Sequence, residues 1–238
     1  MARKQKPRCI HCPRVGTTRD HAFPNSWYPT STPPIVQRPT VPSCDHCQNK
    51  FSKIEKELLV RLGLCMNPTL AEASGISTKA LRSLGVGVFL SPNEKRHRYT
   101  HRGKILSEMA PISSHQGELN LLPGASRGDW FPASASNMLV PVSDTMLREV
   151  LAKIVRGLEY KRATRYIDQP YELEIHLADP GKVAAADKVF LVGREYQLGP
   201  GFKYYRRVAR EDQGTVLYRM VIWGSITCYA SIIGPDPR

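Results

Sequence analysis

At 238 residues the chain is long enough to bury a hydrophobic core and to form one domain or two. Lysine and arginine outnumber aspartate and glutamate 34 to 21, a net charge of +13 that favours an anionic partner, most often nucleic acid. No run of about 18 apolar residues occurs, so no membrane span is expected. Six cysteines with no apolar leader after the basic Met1–Arg8 segment argue against a secreted disulfide scaffold and for a reducing, cytoplasmic setting.

Residues 1–8 read as a basic tail, able to touch phosphates or simply solvated. Residues 9–50 hold two Cys-x-x-Cys pairs, Cys9/Cys12 and Cys44/Cys47, separated by 31 residues between Cys12 and Cys44. Two such knuckles supply four thiolates to one tetrahedral Zn²⁺. The insert between them, rich in Pro, Ser and Thr, must fold back as a hairpin or loop and is too poor in large apolar residues for a core of its own. A metal would supply the missing stability. Four thiolates and one Zn²⁺ would lower the net charge only to +11. His11 and His46, inside the knuckles, are alternative ligands, but with four thiols available they are expected at the surface.

Between the knuckles lies Asp20-His21, in the run Thr18–Pro24. Phosphodiester hydrolysis needs a base for the attacking water and a cation at the leaving oxygen. A histidine serves as base near neutral pH, and a neighbouring carboxylate can hold a hydrated Mg²⁺-like ion. Strand neighbours point to opposite sides, so both can serve one site only on a twisted or bulged strand. The rest of the site should come from the segment after Cys47, where Gln48, Asn49 and Lys50 stand.

From Phe51, Ile54, Leu58, Leu59, Leu62 and Cys65 recur at helical spacing, with Ser52/Glu55 as a capping-box signal that starts the helix near Ser52, or earlier, after the knuckle. Asn67-Pro68 ends it. One or two short helices broken at Gly75 follow over 69–84. Residues 91–108 are the densest positive stretch, with Lys95, Arg96, Arg98 and Arg102 as candidate phosphate contacts or as a solvated basic loop. Residues 111–141 read as a long irregular connection and boundary. Met146, Leu147, Val150, Leu151, Ile154, Val155 and Leu158 form the broadest apolar stripe, a helix over 143–160 capped by Ser143 or Asp144. Strands are predicted at 171–178, 188–192, 203–210, 215–223 and 225–233. Tyr204-Tyr205-Arg206-Arg207 suits stacking on bases, or packs one tyrosine inward. Cys65 and Cys228 read as small buried hydrophobes.

Cys9-x-x-Cys12, Asp20-His21-x-x-Pro24, Val41-Pro42-x-Cys44-x-x-Cys47, Asn49 and Lys50 together resemble an HNH endonuclease of the zinc-knuckle type, over roughly residues 9–60. The resemblance implies a ββα-metal core, with His21 as general base, Asp20 as a metal-binding acid and a structural zinc on the four cysteines. The family commonly has His or Asn directly after the last cysteine. Here Gln48 stands there; Asn49 takes the ligand role with a small helix shift, alone or with Gln48, or Gln48 binds the ion itself through its longer amide. The family's middle Asn has no clear match; Gln37 lies nearest.

The expected chain is therefore α+β: a zinc-stapled ββα-metal core over 1–66, then an accessory region over 67–238 of helices and mostly antiparallel strands. The expected activity is Mg²⁺- or Mn²⁺-dependent cleavage of DNA, with double-stranded DNA the partner and Arg19 and Lys50 contacting phosphates. By analogy such a chain suits a mobile-element or genome-defence role. The C-terminal region is the candidate surface for a homodimer or a partner protein. A non-catalytic zinc-dependent nucleic-acid binder, or a zinc-stapled protein-interaction adaptor, would share most of these features. His21 discriminates them.

Overall fold

A computed structural model describes residues 6–85, 90–111, 138–177, 187–188, 194–209, 212 and 214–234. The chain is mixed α+β. Strand β1 (Thr18–His21) pairs antiparallel with β2 (Thr40–Ser43), with Asp20 opposite Val41 and His21 opposite Thr40. Helix α1 (Asp45–Leu64) follows β2 without a loop, because Cys44 holds extended backbone at its N-cap. The helix thus begins at the second knuckle and not near Ser52. The Ser52/Glu55 signal falls inside it, and Glu55 is engaged elsewhere, as described below.

The segment joining β1 to β2 is not a polar insert. Its short 3-10 turn (Asn25–Trp27) carries Trp27 into the centre of the molecule. The Trp27 indole N–H donates to the Glu55 carbonyl at 3.1 Å, and the Trp223 indole donates to the Trp27 carbonyl at 2.7 Å. Phe23 stacks on Phe202 at 4.4 Å between centroids. One contiguous apolar cluster therefore runs from this segment through Leu58 and Leu62 of α1 to the C-terminal sheet.

After α1 come a 3-10 turn (Ala71–Ala73), Gly75 at φ +75°, and α2 (Ile76–Leu84). Residues 91–108, read from sequence as a basic stretch, are mostly helix α3 (Pro92–Glu108). A reciprocal capping box between Ser91 and Glu94, with proline at the first turn, starts it. A small ladder of β3 (Ala110–Pro111) and β4 (Met138–Leu139) precedes α4 (Asp144–Ala163), whose N-cap Ser143 accepts from the Met146 amide. Most of the 111–141 connection lies outside the described residues.

The last layer is a five-stranded antiparallel sheet in the order β5 (Glu172–Leu177), β9 (Ile226–Ile233), β8 (Val216–Ile222), β7 (Phe202–Val208), β6 (Arg194–Gln197). The strand expected at 188–192 lies almost wholly outside the described residues; Asp187 and Lys188 are helical, and the fifth strand is β6. Tyr204 is buried and Arg206 turns inward, so half of the Tyr-Tyr-Arg-Arg run serves the interior. Cys228 is buried in the sheet and Cys65 half-buried at the end of α1; burial pushes their thiols up to about 12 and about 11.

Helix α4 lies between the sheet and the strand pair. Gly157 lets it approach β1 closely: a Cβ there would stand 2.7 Å from Ala22 Cβ. Facing the sheet, fully buried Glu159 accepts from Arg206 at 2.9 and 3.0 Å and from the Tyr218 hydroxyl, with Arg165 at 3.6 Å. Burial pushes this carboxyl up, but the Arg206 and Tyr218 hydrogen bonds and the arginine charges outweigh it and hold it below its ordinary value. A lowered folded value means that the stabilisation is present above the unfolded carboxylate range and is lost as pH falls through the folded value. Glu159→Gln is expected to cost about 3–5 kcal/mol at pH 7, because it leaves two arginines short of their anion. The loss should shrink on acidification, as denaturant unfolding at pH 7 and below pH 4 would show.

Candidate metal centre and Asp-His site

The first knuckle is a turn closed by the Cys9 amide donating to the Arg14 carbonyl at 2.8 Å and by an Arg8–Val15 bridge. The second is the N-terminus of α1. Pairing of β1 with β2 brings the two together. The four sulfurs of Cys9, Cys12, Cys44 and Cys47 lie within 4.8 Å of one another, and Cys12 Sγ is 3.6 Å from both Cys44 Sγ and Cys47 Sγ. Zn–S bonds of about 2.3 Å in a tetrahedron place sulfurs about 3.8 Å apart. Disulfide sulfurs would be about 2.05 Å apart, and all four cysteines are free. The donor set fits a structural Zn²⁺. His46 is exposed and His11 packs edge-on against Phe51 at 4.8 Å, so neither joins the cluster.

Alternation along β1 turns Arg19 outward, where it donates to Thr40 Oγ1 at 2.9 Å, and sends Asp20 toward α1 and α4. Asp20 Oδ1 accepts from the His21 amide at 2.8 Å. Asp20 Oδ2 stands 2.9 Å from Lys153 Nζ, an ion contact without aligned hydrogen-bond geometry. Lys153 also donates to Glu55 Oε1. The lysine side chain is fully buried, and both carboxylates are 13% exposed. One ammonium from α4 therefore sits between a carboxylate of β1 and a carboxylate of α1. Nothing in the sequence motifs pointed to this residue.

His21 is half-buried at the end of β1. Burial holds its imidazole below the ordinary value; Asp20 opposes this, while the charges of Lys153 and Arg38 reinforce it. The ring is thus neutral at pH 7, the form a general base requires. Arg38, also missed from the sequence, is fixed by Asn25 Oδ1 at 2.7 Å and by the Tyr28 ring at 4.8 Å.

On α1, residues seven apart share a face and adjacent residues lie about 100° apart. Gln48, half-buried, is on the stripe of Glu55; Asn49 is exposed and points away from it. Gln48 therefore shares a helix face with Glu55, about 10 Å along it, and Asn49 does not. Lys50 is paired with Glu149 of α4 at 2.7 Å, so its charge is already partnered. Lys95, Arg96, Arg98 and Arg102 lie on α3, which packs on the other flank of α1. There His101 meets Glu57 at 2.6 Å and Glu108 meets Arg61 at 2.6 Å. Glu57 and Glu55 are about 160° apart around the helix, so these cations do not surround His21. Arg98 donates to the carbonyls of Arg82 and Gly85 at 2.8 and 3.0 Å and acts as the end-cap of α2.

Searches against protein-family models, curated proteins and solved structures returned no match. No described helix is long and apolar enough to cross a membrane.

Proposed function

We propose that this chain is a metal-dependent endonuclease of the HNH type that cleaves DNA. The observation that carries the reading is the placement of Asp20-His21. The pair stands on the first strand of an antiparallel pair that runs straight into α1, with four cysteines clustered where that strand pair meets the helix.

His21, neutral and partly open to solvent, takes the proton of the attacking water. Asp20 fixes the strand end through the His21 amide and offers carboxylate oxygen to a divalent ion. Gln48 offers amide oxygen from the same side. One carboxylate and one amide, completed by waters, is a donor set suited to Mg²⁺ or Mn²⁺. That ion, when bound, stabilises negative charge on the scissile phosphate and its leaving oxygen. Arg38, beside His21, and Arg19, at the outer face of β1, would receive the flanking phosphates. The zinc has no part in the chemistry.

A second reading is favoured by one observation: Lys153 already neutralises the carboxylate that would hold the divalent ion. In that reading the chain is a zinc-stapled nucleic-acid binder without catalysis. Cleavage of DNA that requires Mg²⁺ or Mn²⁺ and is lost in His21→Ala separates the two.

A further inference from the structure

Helix α3 is 17 residues long yet places only Ile105 fully inside. Polar contacts hold it: the Ser91–Glu94 box, Arg98 on the end of α2, His101 on Glu57, and Glu108 on Arg61. Both of its carboxylates are used in these contacts, one at its start and one against α1. The outward face therefore carries positive charge without acidic neighbours on the same helix. Tyr99 and Leu106 are 61% and 54% exposed on that face.

Gly103 sits at its centre. A Cβ there would meet nothing within 4 Å, so packing does not exclude a side chain. A mid-helix glycine costs stability relative to alanine, and no contact among the described residues accounts for it. On the helix, Lys95 and Arg102 lie roughly 80–100° to one side of Gly103, and His97 and Lys104 roughly 100–120° to the other. Arg96, seven residues back, is in line with it. Gly103 is thus a one-residue gap in the side-chain cover of a face that carries Arg96 in line with it, Lys95 and Arg102 to one side and Lys104 to the other, so a polyanionic ridge could come close at that point.

We infer that the outer face of α3 lies on the phosphate backbone of double-stranded DNA, with Gly103 at the point of closest approach. The inference rests on the nucleic-acid reading above and adds a second contact surface, on the flank of α1 away from His21. Because the surface is separate from the catalytic residues, binding through it does not depend on cleavage.

The test is binding of the zinc-loaded chain to a labelled 24-base-pair duplex without divalent metal, by fluorescence anisotropy over a salt series. In Lys95→Gln/Arg96→Gln/Arg102→Gln/Lys104→Gln, affinity should fall at least about tenfold, and the salt slope should drop by about 0.9 for each phosphate no longer neutralised. Gly103→Ala changes no charge. It should raise the Tm by about 2–4 °C while weakening binding several-fold. Wild-type affinity in either variant overturns the inference. Loss of cleavage in His21→Ala with binding through α3 intact would uphold both this surface and the nuclease reading. Binding through α3 by a wild-type chain that never cleaves would uphold the surface and overturn the nuclease.

Discussion

Lys153→Met is expected to destabilise the protein by about 3–5 kcal/mol, the usual result of removing one partner from a buried ion group. Methionine keeps much of the volume, so the loss would come from charge and not from a cavity. Asp20 and Glu55, both almost wholly buried, would then face each other without the ammonium between them. Burial already pushes Glu55 up against the pull of Lys153, and Asp20 adds to that push. Without the lysine, Glu55 would favour protonation more strongly in the folded state. A raised folded value makes stability greater at low pH and smaller as pH rises through that value. The deficit should therefore shrink as pH falls toward about 4, where carboxyls protonate in the unfolded chain as well. Glu55→Gln should be milder, because Lys153 keeps Asp20 as partner. Denaturant unfolding of the three proteins at pH 7 and pH 4.5 measures this. Equal stability of Lys153→Met and wild type at pH 7 would mean that the ammonium does not hold β1, α1 and α4 together.

Removal of zinc has the second large expected effect. Among the described residues the cysteine cluster has only Phe51 as a buried apolar partner of any size, so beyond the β1–β2 pairing a bound zinc would be the main tie between the knuckles. Structural zinc contributes about 10–16 kcal/mol in isolated fingers. Here Phe23, Trp27 and Tyr28 anchor the neighbouring segment to the main core, so the loss should be partial. The purified chain should hold one Zn²⁺. Cys44→Ser or strong chelation should lower the Tm by more than about 10 °C and loosen the β1–β2 pair before the C-terminal sheet. A metal-free chain that melts like the zinc-loaded one would remove the staple from the account.

What could be read in the sequence was local. The cysteine pairs, the Asp-His and the stripe of α4 each lie within one short segment, and the fold gathers the four cysteines and buries the stripe. The parts that were not read depend on contacts between distant segments. Lys153 is 98 residues from Glu55 and looks in sequence like the polar edge of an apolar helix. Its signal was its neighbours one turn away, Val150 and Gly157, both buried. Trp27 lies in a Pro- and Ser-rich run that reads as a loop, although it is among the largest fully buried side chains. Helix α3 escaped because its periodicity is carried by charges and one isoleucine, while the Ser91-Pro92-x-Glu94 start was there to be seen. The choice between Gln48 and Asn49 depended on a helix boundary seven residues earlier than the capping signal suggested.

The most direct measurement is the fate of supercoiled plasmid incubated with the zinc-loaded protein and Mg²⁺ or Mn²⁺, wild type beside His21→Ala. Nicked or linear product from wild type, abolished by chelating the divalent ion and reduced at least about a hundredfold in His21→Ala, is the predicted result. Intact plasmid with both proteins, or equal cleavage by both, would contradict the assignment of Asp20-His21 as the centre of an endonuclease.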